Sequence, residues 1–302
     1  MTKITTDAAI AADKLCKRYG DVVALRDLDL HVQLAEVFGF LGPNGAGKST
    51  MIRIMLGFLR PSSGNVRVLG MDSVRDHLEI LRHTGYLPGD PAFDAVATGE
   101  QALDFLASLS GAEPRRRAEV CERLQLDEAT LRRKVRDYSK GTRQKLGIVQ
   151  ALQHDPRLIV MDEPTEGLDP LVQHAFTALL SDLRAEGKTI FLSSHILSEV
   201  ERVCDRVAII RKGKLVAVEN ISTLLAKRSR HVELRFDGHA PDLSDVAGIS
   251  SIRVAGDTVT CRLSGDVRPL LQRLATLLVR DVTIESAHLE DAFLELYGET
   301  EA

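Results

Sequence analysis

The stretch Gly42-Pro43-Asn44-Gly45-Ala46-Gly47-Lys48-Ser49-Thr50 constrains this chain more than any other. It follows the apolar run Val37-Phe38-Gly39-Phe40-Leu41 and precedes Met51-Ile52-Arg53-Ile54-Met55-Leu56, so it reads as a loop between a buried strand and a helix. Closely spaced glycines let several backbone N–H groups turn inward on a polyphosphate, and the helix start adds its partial positive charge. Lys48 supplies a full positive charge near the terminal phosphates, and Ser49 offers a hydroxyl to Mg²⁺. A glycine-rich turn that merely caps a helix does not account for all these positions together with the strand before and the helix after.

A second run, Arg157-Leu158-Ile159-Val160-Met161-Asp162-Glu163, is what a fully buried parallel strand looks like when it delivers carboxylates at its C-terminal end. Two acids there need cations or solvent to offset their desolvation. Asp162 is placed to hold Mg²⁺, directly or through water, and Glu163 to orient or deprotonate an attacking water. The apolar strand Thr189-Ile190-Phe191-Leu192 closes on Ser193-Ser194-His195. There His195 is either an N-terminal hydrogen-bonding residue or, since its strand follows the acid-bearing one, a contact to the terminal phosphate.

Around these segments the pattern is α/β. Ile10 to Leu15 and Val22 to Val32 alternate about a break at Tyr19-Gly20-Asp21, predicting an antiparallel ribbon ahead of a central, mostly parallel sheet. Tyr19, on that break, is an aromatic face for a nucleobase or a turn tyrosine packed on its neighbours. The helix after the glycine loop is expected to carry Ile52, Met55, Leu56 and Leu59 on one face and to end at Pro61-Ser62-Ser63-Gly64. Val66 to Leu69 reads as a strand, Val74 to Leu81 as a helix, and Thr84 to Pro91 as a Gly/Pro-rich loop. From about Thr98 to Val135 the periodicity is helical, marking an insert. The basic runs Arg115-Arg116-Arg117 and Arg132-Arg133-Lys134 with Arg136 read as solvated helix faces or as contacts to an anionic partner or headgroups. Strands at Arg206 to Ile210 and Leu215 to Val218 finish the large domain.

After about Ser222 a new pattern starts: strands at His231 to Phe236, Ile249 to Val254, Thr258 to Leu263 and Val282 to Ile284, with helices at Leu270 to Leu278 and Leu289 to Leu296. A mixed sheet with helices on one face would bury these, giving a small α+β appendage. The expected division is 1–222, with a helical subdomain at about 90–155, and 223–302. A chain of 302 residues, 44% of them hydrophobic, can bury one large core and a second small one. No apolar run approaches the roughly 20 residues that span a bilayer, and the first residues lack the apolar core of a secretory signal, so a cytosolic location is expected. Cys16, Cys121, Cys204 and Cys261 stand far apart, as reduced thiols do. A net charge of -4 weighs against nonspecific nucleic-acid binding.

With Tyr138-Ser139-Lys140-Gly141-Thr142-Arg143-Gln144 just before a helix, this assembly resembles the ATP-binding subunit of ABC transporters over about residues 8 to 220. The resemblance implies a P-loop NTPase core of the ABC type, with ATP and Mg²⁺ as cofactors. It makes Gly42 to Thr50 the Walker A loop, Leu158 to Asp162 Walker B, Glu163 the catalytic glutamate and Gly167-Leu168-Asp169 the D-loop. His195 becomes the switch histidine and Tyr19 the adenine-stacking aromatic. Ser139 and Gly141 keep the signature segment's hydroxyl and permissive backbone for a γ-phosphate, whereas Lys140 and Thr142 depart from its Leu-Ser-Gly-Gly-Gln pattern. Gly89 stands where the family usually has the Q-loop glutamine; either Asp90 takes over part of that role or the coupling is looser. Gly85-Tyr86-Leu87-Pro88-Gly89-Asp90 and the ending Leu289 to Leu294 are similar to the branch that exports drugs, antibiotics or lipids. That branch implies a separate transmembrane permease, two cassettes (a homodimer) sandwiching two ATP molecules, and a peripheral place on the inner face of the membrane. The rivals are a soluble ABC ATPase acting on nucleic acid or ribosomes, and a P-loop kinase, which has no use for the signature segment.

Overall fold

The computed structural model describes residues 8–226 and 229–285. They fall into two compact units, divided between Val218 and Glu219. The helix expected at Leu289 to Leu296 lies outside the described residues. In chain order come β1 (Ala8–Tyr19), β2 (Val22–Gln33), β3 (Val37–Leu41), α1 (Lys48–Met55), β4 (Ser63–Val68), β5 (Met71–Asp72), α2 (His77–Arg82) and β6 (Thr84–Leu87). The insert holds α3 (Gly99–Ser110), α4 (Arg117–Arg123), α5 (Glu128–Leu131) and α6 (Lys140–Leu152). Then follow β7 (Leu158–Asp162), α7 (Pro170–Ala185), β8 (Thr189–Ser194), α8 (Leu197–Val203), β9 (Arg206–Arg211) and β10 (Lys214–Asn220).

β3, β7 and β8 are buried along their whole length, as strands covered on both faces must be. They belong to a six-stranded sheet of order β10-β9-β3-β8-β7-β6, in which β6, β7, β8, β3 and β9 run parallel. Leu41 pairs with Ser194, and Asp162 with Ser193, so three strands finish level. Gly42, Glu163 and His195 therefore emerge together at the carboxyl edge of the sheet, the usual place for a ligand in an α/β protein.

The ribbon of β1 and β2 forms as its alternation predicts and extends into an antiparallel sheet of order β2-β1-β4-β5. Leu15, Leu25, Leu28 and Leu30 of the ribbon, Met51, Ile52 and Met55 of α1, Phe38 and Phe40 of β3 and Phe191 of β8 share one core. Each fully buried Leu or Phe contributes about 1.5–3 kcal/mol, so α1 and the loop ahead of it stand on a rigid base.

Three local expectations change. α1 stops a turn early because Gly57 takes a left-handed φ of 74°, and Ser63 and Gly64 belong to β4 rather than to a stop signal. Thr84 to Leu87 is not loop but the edge strand β6. Its Gly85 is there for close approach, since a Cβ would meet the Ala151 carbonyl of α6 at 1.9 Å. Within the first basic run, Arg115 is solvated, but Arg116 is only 15% exposed. Arg116 pairs with Glu186, with Asp155 at 2.6 Å and with Glu119 at 3.4 Å, while Arg117 binds Gln153 at 2.9 Å and also pairs with Asp104. Arg123 reaches Asp182 of α7, so Arg116, Arg117 and Arg123 tie α4 to α3, to the end of α6 and to α7 and its C-terminal end.

The second unit holds α9 (Ile221–Ala226), β11 (Arg230–Phe236), β12 (Ile249–Ala255), β13 (Thr258–Leu263), α10 (Arg268–Leu274) and β14 (Val279–Glu285). Its sheet, ordered β12-β13-β11-β14, is antiparallel rather than mixed. The two residues between β12 and β13 can close only an antiparallel hairpin. Val232, Leu234, Phe236, Val259, Leu263, Leu270 and Leu274 form its own core.

Candidate active site

The glycine loop runs from the end of β3 to the first turn of α1. Gly47, immediately before that helix, has φ of 112°, and a Cβ there would lie 2.6 Å from the Ala24 carbonyl. Only glycine meets both conditions. Lys48 is 6% exposed; its Nζ donates to the Gly42 carbonyl at 2.7 Å and stands 3.3 Å from Glu163 Oε1. A cleft of about 330 Å³ opens over the loop, with Ala24, Gly89, Asp162, Glu163 and Glu166 on its other sides.

Asp162, at the end of β7, is 9% exposed. Its Oδ2 accepts from the Ser49 hydroxyl at 2.8 Å and its Oδ1 from the Ser193 hydroxyl. Glu163 has a left-handed backbone, φ 50°, which a non-glycine residue adopts only when its surroundings enforce it. Here its N–H donates to the Ser193 carbonyl at 3.0 Å, and the buried Gln144 amide donates to the carbonyls of Glu163 and Pro164 at 3.3 and 2.9 Å. The turned backbone aims the carboxylate back at the loop. Oε2 accepts from the His195 N–H at 3.3 Å and lies 2.8 Å from His195 Nδ1. Oε1 is buried and receives no hydrogen bond, only the charge of Lys48. Burial, with the nearby Asp162 charge, pushes the Tyr86 phenol up.

The structure thus gathers Lys48, Ser49, Asp162, Glu163 and His195 at one edge. Pro43, Asn44, Gly45 and Thr50 line the same cleft, while Ala46 is buried beneath it in the core. Gly89 faces Asp162, so that a Cβ there would sit 3.9 Å from Oδ2; Asp90 is exposed and does not line the cleft. Tyr19, Ser139, Gly141 and Asp169 also stand outside its lining. Tyr19 is 46% exposed at the ribbon tip, with Lys17 Nζ 5.1 Å from its ring centre. Ser139 caps α6, accepting from Thr142 N–H at 3.1 Å, and Asp169 caps α7, accepting from Val172 N–H at 3.1 Å. Gly141 presses on the Gly167 carbonyl, which a Cβ would meet at 2.4 Å.

Sequence reasoning missed Ser193 and Gln144. Ser193 could have been found from strand alignment, because the residue opposite Asp162 in a parallel neighbour is a natural partner. No local signal marks Gln144. Ser49 and Asp162 form a pair of hard oxygen donors, the kind Mg²⁺ takes alongside phosphate and water. The buried ammonium of Lys48 and the loop N–H groups suit the phosphates themselves.

The profile of the ABC transporter family matches residues 25–166. The bacitracin transport ATP-binding protein BcrA of Enterococcus faecalis is 33% identical over 96% of each chain. This chain belongs to the ATP-binding proteins of ABC transporters. This ABC subunit is also 35% identical, over 97% of each chain, to the daunorubicin resistance ATP-binding protein DrrA3 of Streptomyces coeruleorubidus. A solved ATP-binding subunit of an ABC transporter aligns with a TM-score of 0.67 and 31% identity, covering 72% of this chain and 91% of that one. The family hydrolyses ATP, and the cleft over Lys48 is the candidate site for that chemistry in this ABC ATPase. Among the described residues no helix is long and apolar enough to cross a membrane.

Proposed function

We propose that this subunit hydrolyses ATP to power export of a drug- or antibiotic-like compound through a separate transmembrane subunit. Two copies would close around two ATP molecules at the inner face of the membrane. The observation that carries this reading is the split of the machinery: Lys48, Ser49, Asp162, Glu163 and His195 converge, whereas Ser139 and Gly141, at the start of α6, stand outside the lining of the cleft. A site divided in this way is completed by a second chain. Relatives that carry bacitracin transport and daunorubicin resistance in their names supply the cargo class.

In the working site Lys48 exchanges the Gly42 carbonyl for phosphate oxygens, a stronger charge-assisted partner. Glu163, its carboxylate fixed by His195 and by its own turned backbone, orients and deprotonates the attacking water. His195 also contacts the terminal phosphate. Ser49 and Asp162 would hold Mg²⁺, which neutralises charge on the phosphates. Tyr19 offers its open ring face to adenine, and Ser139, Gly141 and Asp169 serve the partner's site. Hydrolysis removes the γ-phosphate contacts and lets the pair reopen.

Glu163→Gln tests the reading. ATP binding should persist, turnover should fall by about 10²–10⁴, and ATP should drive the chain into a stable dimer. A Glu163→Gln chain that stays monomeric with ATP bound and hydrolyses normally overturns it.

A further inference from the structure

Lys140 is a cation at a position where the ABC signature has glycine, and the structure gives it a specific partner in its own chain. Its ammonium is paired with Glu166, the third residue after the catalytic-glutamate position. Glu166 lines the same cleft as Lys48, Ser49 and Asp162, and its N–H donates to the Glu163 carbonyl at 3.3 Å. The two segments also pack backbone to backbone, since Gly141 lies against the Gly167 carbonyl too closely for any side chain. The pair is thus carried on a fixed frame while its charged ends stay about half exposed, 56% and 48%.

That arrangement has an electrostatic consequence. A cleft that receives a polyanion gains nothing from an uncompensated carboxylate on its rim, and Glu166 is such a group unless a cation masks it. We propose that Lys140 masks Glu166, so that the signature segment of each chain sets the affinity of that chain's own phosphate site for ATP. Drawing Lys140 away from Glu166 exposes the carboxylate to the phosphates and weakens their hold. The two halves of the composite site in one chain are then coupled through a single ion pair. Lys140 is a positioning residue here, acting on the nucleotide through Glu166. The proposal rests on the cleft being the ATP site.

The test is nucleotide affinity of the full chain, measured for ATP, ADP and adenosine at low and high salt. Lys140→Met should weaken ATP binding about two- to five-fold, the range open to an exposed pair, with a smaller effect on ADP and none on adenosine. The effect should shrink at high salt, and Lys140→Arg should restore affinity. Glu166→Gln should leave ATP binding at or above the wild-type level, and Lys140→Met should cost nothing in the Glu166→Gln background. Equal loss for adenosine and ATP, or weaker ATP binding by Glu166→Gln, would mean a structural tie and overturn the proposal. Unchanged ATP affinity in Lys140→Met overturns it while leaving the ATP site intact. A wild-type chain that binds no ATP removes the site reading and this inference with it.

Discussion

The two units are built from the same materials and differ in what their sheets can collect. In the larger, parallel β3, β7 and β8 end level, so the residues that follow them arrive at one edge from distant parts of the chain. In the smaller, the antiparallel strands end alternately at opposite edges, and the charged pairs Arg235–Glu233, Arg268–Asp266 and Arg280–Asp237 are distributed over an exposed surface. The first arrangement desolvates Lys48 and Asp162 and leaves a buried Glu163 oxygen without a hydrogen bond. Among the described residues of the second, the fully buried ones are apolar. Chemistry concentrates where topology brings strand ends together.

The sharpest way to break this contrast is Lys48→Ala. It should cut ATP turnover by at least about 10² and weaken nucleotide binding, because it removes the buried charge proposed to face the phosphates. Full turnover by that variant would dissolve the site assignment. Leu234→Ala, in the fully buried core of the smaller unit, should destabilise that unit by about 2–5 kcal/mol, read by hydrogen exchange in β11 to β14. Its ATP turnover should stay within about two-fold of wild type, since no residue of that unit lines the cleft. A collapse of turnover would show that the two units share the chemistry.

The smallest effect concerns charges that are structural inside the catalytic unit. Burial works against the Asp155 charge, yet Lys188 at 2.7 Å and Arg116 at 2.6 Å hold its carboxyl below the ordinary 3.8. Its folded pKa is depressed, so its stabilisation is present above the ordinary value and lost as pH falls through the folded one. Asp155→Asn should therefore cost on the order of 1 kcal/mol at neutral pH and progressively less below about pH 4, in urea unfolding curves taken at both pH values. A pH-independent cost would assign the loss to packing.

The glycine loop, the acid-bearing strand and the ribbon were legible because each is a local pattern: spacing for the loop, a continuous apolar run for β7, alternation for β1 and β2. The edge strand β6 was not, because the same Gly85 and Pro88 that serve close packing and strand exit also read as loop punctuation. Arg116 was misread because a basic run looks alike whether it meets water or acids 39 and 70 residues away. The antiparallel order of β11 to β14 needed strand pairing that no single strand declares.

Sequence alone determined which chemical groups are available: a phosphate-cradling loop with Lys48 and Ser49, two acids at Asp162 and Glu163, and His195, each tied to its own strand or helix end. Tertiary structure decided which of them meet. Ser49 and Asp162 touch across 113 residues, Ser193 and Gln144 enter the site, and Glu163 is turned into a left-handed backbone that faces its carboxylate to Lys48. Residue identity is a local property, whereas these contacts depend on strand register and on the shared core that sets it.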